Sequence, residues 1–320
     1  MRIRAPHKSK HFFFYSVKYL IPVIALFIIL DQLTVLYKKD QAFLSELIEQ
    51  GLGLPISLGL VMLLMSIANW FLEGKKWQLA VNAATAIDFY TAIKQCLMGF
   101  TTSLLTPAKA GDYIAKPLFF PAEYRKRILL LNTVNHLCQM SVTGIFGVLS
   151  LLILASYVPD ITGLIDLEYV LISITFVAFL LLSVVFFFKQ KKHKRYLEWK
   201  NACAVASKQI WFYLMGLSVL RYLVFSFQFI FMLVIFGATI QLGTAFVLLS
   251  VIHLINSSLP TPALSDAVVK GSLGVLLFGM FEVNTWMVLL ATAFMWLFNQ
   301  AVPALLGAFY LTRYKRNNLS

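Results

Sequence analysis

Residues 103–116 read SLLTPAKAGDYIAK, and residues 258–270 read SLPTPALSDAVVK. Ser103 and Ser258, Leu104 and Leu259, Thr106 and Thr261, Pro107 and Pro262, and Ala108 and Ala263 align directly. After a one-residue gap, Asp112 meets Asp266 and Lys116 meets Lys270. Each stretch interrupts a long apolar region, 88–120 in the first case and 241–281 in the second, near its middle. Each also reads as a helix start. A Thr at the N-cap accepts an orphan backbone N–H, and a Pro at the first helical position has no N–H to leave unpaired. Asp and Lys four residues apart then share one helix face, with the acid N-terminal, the better order for an ion pair. The repeated break predicts two helix N-termini aimed into the interior of an apolar, helical protein. Such ends carry about half a positive charge and bare N–H groups, which favour anions.

The composition around these breaks is that of a chain dissolved in a bilayer. Of the 320 residues, 60% are hydrophobic and 13% charged, with a mean hydropathy of +0.80. A soluble domain carries about 25% charged residues, so too few polar side chains remain here to cover a globule. Stretches 19–37, 52–72, 128–156, 167–188, 209–237 and 285–312 are each long and apolar enough to cross about 30 Å of hydrocarbon, which takes about 20 helical residues. Stretch 19–37 follows Arg2, Arg4, Lys8, Lys10 and Lys18. It is too long for a signal peptide and lacks a small-residue cleavage site, so it reads as a retained first span.

Basic residues set the orientation. With the N-terminus in the cytoplasm and each broken region entering and leaving on one side, the cytoplasmic segments are 1–18, 73–78, 122–127, 189–208 and 313–320. They hold 5, 2, 3, 7 and 3 Lys/Arg, 20 of the 27 in the chain, while the outer segments hold only Lys38 and Lys39. An odd number of full spans separates the breaks, so the first enters from the cytoplasm and the second from outside. The expected fold is an all-α polytopic membrane protein, one integral membrane domain over 1–320. It has about six full transmembrane helices and two oppositely oriented re-entrant hairpins, 88–120 and 241–281, in an inverted repeat. The net charge of +13 does not signal nucleic acid, because that reading needs a basic face on a soluble module.

The remaining basic residues, Lys94, Lys109, Lys116, Arg221 and Lys270, fall in or beside apolar segments. Lys109, Asp112, Lys116, Asp266 and Lys270 cannot face lipid cheaply: at about 2.5–3.5 kcal/mol each, together they cost roughly 12–18 kcal/mol. They pair, reach an interface, or line a wet cavity. The plain alternative to a substrate path is that Asp112–Lys116 and Asp266–Lys270 simply pin the hairpins. Arg221 shares a helical face with Phe225 and Gln228, and at that depth it either serves function or locks two helices. The stripe Asn132, Asn135, His136, Gln139 and Thr143, like Asn299 and Gln300, reads first as interhelical glue. His253 and Asn256, just before the second break, are candidate ligand contacts. Trp70, Trp77, Trp199, Trp211 and Trp286 read as interfacial anchors. Cys96, Cys138 and Cys203 are odd in number and scattered, which speaks against a disulfide framework or a zinc site. No Gly-rich phosphate loop, Gly-x-Ser-x-Gly elbow, His-Glu-x-x-His or Asp-rich cluster occurs, and no cofactor or metal is expected.

Over residues 15–312 the sequence resembles the lysylphosphatidylglycerol synthase transmembrane-region family, also called the flippase-like domain family. The resemblance rests on several features: Glu73 with Lys76-Trp77; Thr106-Pro107-x-Lys109-x-Gly111-Asp112-x-x-x-Lys116; the region from Asn135 to Gly147; Arg221-Tyr222 with Gln228; and the Pro260-x-Pro262 break. Lys109, Asp112 and Lys116 stand where the family tends to have Arg, Glu and Arg. The second hairpin departs, with Ala263-Leu264-Ser265-Asp266 where many relatives are Gly-rich and carry a Glu. The soluble aminoacyltransferase domain of the full-length synthases has no counterpart here, so lipid aminoacylation is not expected.

The resemblance implies a lipid-translocating module of the bacterial inner membrane, multi-pass with both termini cytoplasmic. The expected function is transport of a phospholipid or polyprenyl-phosphate-linked lipid with an anionic or polar headgroup. Lys109, Asp112, Lys116, Asp266, Lys270 and Arg221 would line its path, with His253 nearby and Thr106 and Thr261 capping the half-helices. The rival readings are a non-transporting partner that presents a lipid-linked substrate to a glycosyltransferase or synthase, and an intramembrane transferase using Asp112 or Asp266 as base. A second copy of the chain or a lipid-modifying enzyme is the expected protein partner.

Overall fold

The computed structural model describes residues 56–104, 106, 110–157, 208–258 and 266–314, all of them in helices or short connections between helices. The expected spans 19–37 and 167–188, both basic terminal segments apart from Arg313 and Tyr314, and the sites Lys109 and Thr261 lie outside these residues.

α1, Ile56–Asn82, gives way to a short turn in which Asn82 Oδ1 accepts the Ile87 N–H. Asp88 then caps α2, Phe89–Ser103, by accepting the Thr91 N–H at 3.0 Å. The end of α2 is rich in hydroxyls. Thr101, Thr102 and Ser103 each donate back to a carbonyl three or four residues earlier, a local competition that weakens helix propagation. The chain breaks there and restarts as α3, Ala110–Leu118. α4, Ala122–Tyr157, runs 36 residues, a rise of about 54 Å. α5, Lys208–Ile235, closes with the Ala238 N–H on the Leu233 carbonyl and Gly237 at φ +88°. That left-handed turn is cheap only for glycine. α6, Leu242–Ser258, and α7, Asp266–Gly279, flank the second break. α8, Thr285–Trp296, passes through a π-turn at Leu297–Ala301 into α9, Val302–Arg313. Pro303 cannot donate to the Asn299 carbonyl four residues back, and Trp70 Nε1 from α1 takes that oxygen at 3.3 Å instead.

Three helical stretches among the described residues, Ala122–Ser156, Gln209–Ile235 and the continuous Thr285–Arg313, are long and apolar enough to cross a membrane. They coincide with the expected spans 128–156, 209–237 and 285–312. Large apolar side chains face outward on these helices and on α1, among them Leu64 (63% exposed), Ile145 (55%) and Phe212 (78%). Polar groups such as Asn132, Asn135 and Gln228 are buried instead. This inside-out distribution, on an all-helical frame, marks an all-α membrane protein.

The helix contacts pair off when the two halves are exchanged, α1 for α5, α2 for α6, α3 for α7, and α4 for α8–α9. α1 packs on α5 at the centre. α2 lies on α9 and α6 on α4, α2 on α3 and α6 on α7, α3 on α4 and α7 on α8. The glycines at the two cross-half contacts also correspond. A Cβ on Gly307 of α9 would collide with the Leu97 backbone of α2, and one on Gly147 of α4 with the Leu254 side chain of α6. Small residues of this kind let membrane helices approach closely. The short sequence repeat is therefore one part of a repeat in helix order and packing.

Residues 73–78 continue α1, and Lys76 is only 1% exposed. Its charge is tolerated because Gln139 accepts from Nζ at 3.0 Å. Residues 122–127 form the first turns of α4, where Arg125 and Arg127 donate to the Phe120 and Ala83 carbonyls. The helix after the first break is described over Ala110–Leu118, and its expected start at Pro107 lies outside the described residues. Trp77 is no interfacial anchor: it is fully buried, with Nε1 donating to Gln95 Oε1 at 2.8 Å.

Candidate functional site

Both Asp–Lys pairs form, each within the first turns of the helix that follows a break. In the first half, Lys116 Nζ lies 3.0 Å from Asp112 Oδ2. The same carboxylate accepts from Asn132 Nδ2 at 3.0 Å and meets His136 Nε2 at 2.8 Å, both from α4. Lys116 also donates to Asn132 Oδ1 at 3.2 Å and stands 4.5 Å from the centre of the Trp77 ring. Tyr113 packs its ring against His136. Asp112 and Lys116 are 5% and 1% exposed, while the His136 side chain keeps 28% of its surface open.

In the second half, Lys270 Nζ lies 2.7 Å from Asp266 Oδ2. Asn256 Nδ2 of α6 donates to the same carboxylate at 2.6 Å, and Gln300 Nε2 from the π-turn at 2.8 Å. The Lys270 ammonium sits 5.1 Å from the centre of the Phe225 ring. The arrangement repeats the first: a carboxylate at a helix start, its lysine one turn on, two polar donors from packed helices, and an aromatic ring under the ammonium. It differs at the lysine. Lys270 keeps 20% of its side chain exposed where Lys116 keeps 2%, and it borders a cavity also lined by Phe225, Phe229, His253, Trp296 and Gln300.

Between the halves, Arg221 Nη1 of α5 pairs with Glu73 Oε2 of α1 at 3.1 Å. Around them lies a further repeated contact. Lys76 of α1 donates to Gln139 of α4, and in the other half Asn299 donates to Gln228 of α5 at 2.9 Å. Asn69 donates to Asn299 Oδ1 at 3.0 Å, adding α1 to that contact.

Of the residues expected from the sequence, Asp112 and Lys116 occupy one cluster, and Asp266, Lys270 and the buried His253 occupy the other. Arg221 joins neither carboxylate; its partner is Glu73. Thr106 Oγ1 accepts the Gly111 N–H at 2.8 Å, so it holds an orphan donor of α3 from outside the helix. Sequence reasoning missed Asn132, His136 and Gln300 as partners of the carboxylates, and Glu73 as the partner of Arg221. The polar stripe on α4 was the available signal, since Asn132 and His136 are one turn apart and reach the same oxygen. Gln300 carried no periodic signal, because the π-turn shifts its face. Among the described residues no group of His, Cys, Asp and Glu is placed to hold a metal ion. The chain matches no family model, no curated protein and no solved structure.

Proposed function

We propose that this protein moves a lipid with an anionic or polar headgroup across the bacterial inner membrane, as a member of the flippase-like family that its sequence resembles. In this reading 88–120 and 241–281 are re-entrant hairpins from opposite faces of an inverted repeat. Both termini lie in the cytoplasm, and the two Asp–Lys clusters stand at successive points of the headgroup path. The observation that carries the reading is the duplicated buried ion pair. A membrane chain spends about 2.5–3.5 kcal/mol on each ionisable group it places at depth. A purely structural pin would be served as well by uncharged polar residues. Two equivalent pairs, each beside a helix start and related by exchange of the halves, support a path used from both sides. The Glu73–Arg221 pair between α1 and α5 sits where the halves would rock against each other.

The test joins lipid identification with movement. Lipids co-purifying with gently solubilised protein are compared with those of an Asp112→Ala/Asp266→Ala variant, and both proteins are reconstituted to follow leaflet exchange of labelled lipids. The reading expects one lipid class enriched in the wild type, lost in the variant, with exchange lost in parallel. A bulk lipid profile identical in both proteins, with no exchange by the wild type, sinks it in favour of a non-transporting partner. A chemically altered lipid would point instead to a transferase.

A further inference from the structure

The two clusters share an Asp–Lys pair but not the chemistry of its partners. Of Asn132, His136, Asn256 and Gln300, which hold the two carboxylates, only His136 is titratable. Gln300 takes its place in the second half, on the helix that corresponds to α4. The repeat is therefore symmetric in the ion pair and asymmetric in a proton site on the carboxylate.

The geometry fixes where that proton goes. Asp112 is paired with Lys116 at 3.0 Å, and an ionised carboxylate only accepts. His136 Nε2, at 2.8 Å from the same oxygen, must therefore carry a hydrogen, which leaves the lone pair of the neutral ring on Nδ1. The Tyr113 ring covers one face of the imidazole, with centroids 4.8 Å apart. Nδ1 makes no hydrogen bond and is not buried, and the side chain keeps 28% of its surface open. A proton added there creates an N–H donor for which the described residues supply no acceptor.

The surrounding charges favour an anion as that acceptor. From α3, His136 is faced by Asp112, Tyr113 and Lys116, and from α1 it acts on Glu73. Glu73 also interacts with Lys76 of its own helix and pairs with Arg221 of α5. Lys76, Lys116 and Arg221 thus stand against two carboxylates, a formal excess of one positive charge. Protonation of His136 raises the excess to two, which is costly among apolar helices. An anion at the open ring edge accepts from Nδ1–H and offsets the charge. Proton and anion then strengthen each other's binding by the same factor.

We propose that His136 is the proton site of the first cluster, and that its protonation binds the phosphate of a lipid headgroup at the open edge of the ring. The proposal rests on the lipid-carrier reading and gives that path a proton-linked step: the headgroup is held while the imidazole is charged and released when the proton leaves. The Asp266–Lys270 pair, with Gln300 in the corresponding place, has no such step at its carboxylate.

The full chain in detergent micelles is equilibrated with equal amounts of phosphatidylglycerol and phosphatidylcholine of identical acyl chains, at about pH 5.5 and about pH 8. Neither lipid changes its charge over this range, and retained lipid is counted by mass spectrometry. The ratio of phosphatidylglycerol to phosphatidylcholine is expected to be about tenfold higher at the acid pH. His136→Gln installs the residue of the second half, keeps a donor for Asp112, and is expected to hold one ratio at both pH values; thermal unfolding checks that it is folded. A second measurement needs no variant: phosphatidylglycerol added to the wild type near neutral pH in weak buffer should draw protons from solution, and phosphatidylcholine should not. A wild-type ratio independent of pH, or no proton uptake, overturns the proposal. So does a pH dependence that survives in folded His136→Gln and is lost in Lys76→Gln or His253→Gln instead. Uptake with sulfate but not with the lipid would assign the site to a free anion and overturn the lipid headgroup. Leaflet exchange is followed in vesicles of the same lipids. Proton-linked retention without exchange refutes transport and upholds the proton site, and exchange with pH-independent retention does the reverse.

Discussion

Replacing Lys116 with Met removes the buried cation from the first cluster while keeping most of the side-chain volume. At the 3.0 Å separation of Lys116 Nζ and Asp112 Oδ2, the pair attracts by about 5–6 kcal/mol at an effective dielectric of 20. Asp112 keeps Asn132 and His136, of which Asn132 brings no charge and His136 one only when protonated, and with Asp112 5% exposed little water reaches it. Loss of one partner from a buried pair typically costs about 3–5 kcal/mol, and that is the destabilisation expected of Lys116→Met. Asp112→Asn/Lys116→Met leaves no buried charge and should recover at least half of the loss. Lys270→Met, whose native side chain is 20% exposed, should cost less than Lys116→Met, because water screens the Asp266 carboxylate that is left behind. Reversible unfolding in mixed micelles of detergent and denaturing surfactant measures all of these on one scale, and the double-mutant cycle isolates the pairwise term. A Lys116→Met cost below about 1 kcal/mol, or a double variant that is merely additive, would refute the claim that the two charges depend on each other.

Three further outcomes are expected. Gly307→Leu and Gly147→Leu should each destabilise by about 2–3 kcal/mol or more, since the new side chain must push apart α2 and α9 or α4 and α6; thermal unfolding in detergent reads this, and Gly216→Leu, facing open space, is the control. Glu282 holds a left-handed backbone at φ 59°, so Glu282→Gly should stabilise by about 1 kcal/mol, seen as a raised melting temperature. The Thr91 side chain and N–H hold the exposed Asp88 carboxyl below its ordinary value. Its capping contribution is therefore present above the ordinary carboxylate range and lost as pH falls through the lowered one. Hydrogen exchange at the first turn of α2 should quicken, relative to its intrinsic rate, on acidification in the wild type but not in Asp88→Asn.

The sequence alone determined what depends on neighbours a turn away. Composition made the chain a membrane helix former, and the Thr-Pro breaks divided two apolar regions. Spacing of four put Asp112 with Lys116 and Asp266 with Lys270, because residues one turn apart share a face whatever the helix packs against. Apolar runs placed the helices of α4, α5 and α8–α9 to within a few residues, while α1 and α4 also run through charged stretches that apolarity does not mark. Lys76 and Glu73 give no local sign of burial, because their partners, Gln139 and Arg221, stand 63 and 148 residues away. Only the tertiary structure could bring Asn132 and His136 to Asp112 or open a cavity beside His253. A polar residue on a membrane helix has the same local pattern whether it binds glue, a carboxylate or a ligand, and the choice is made by which face of which helix docks on it. Gln300 shows the limit most plainly. Its reach to Asp266 depends on a π-turn whose shift of the helix face breaks the periodicity from which a sequence is read.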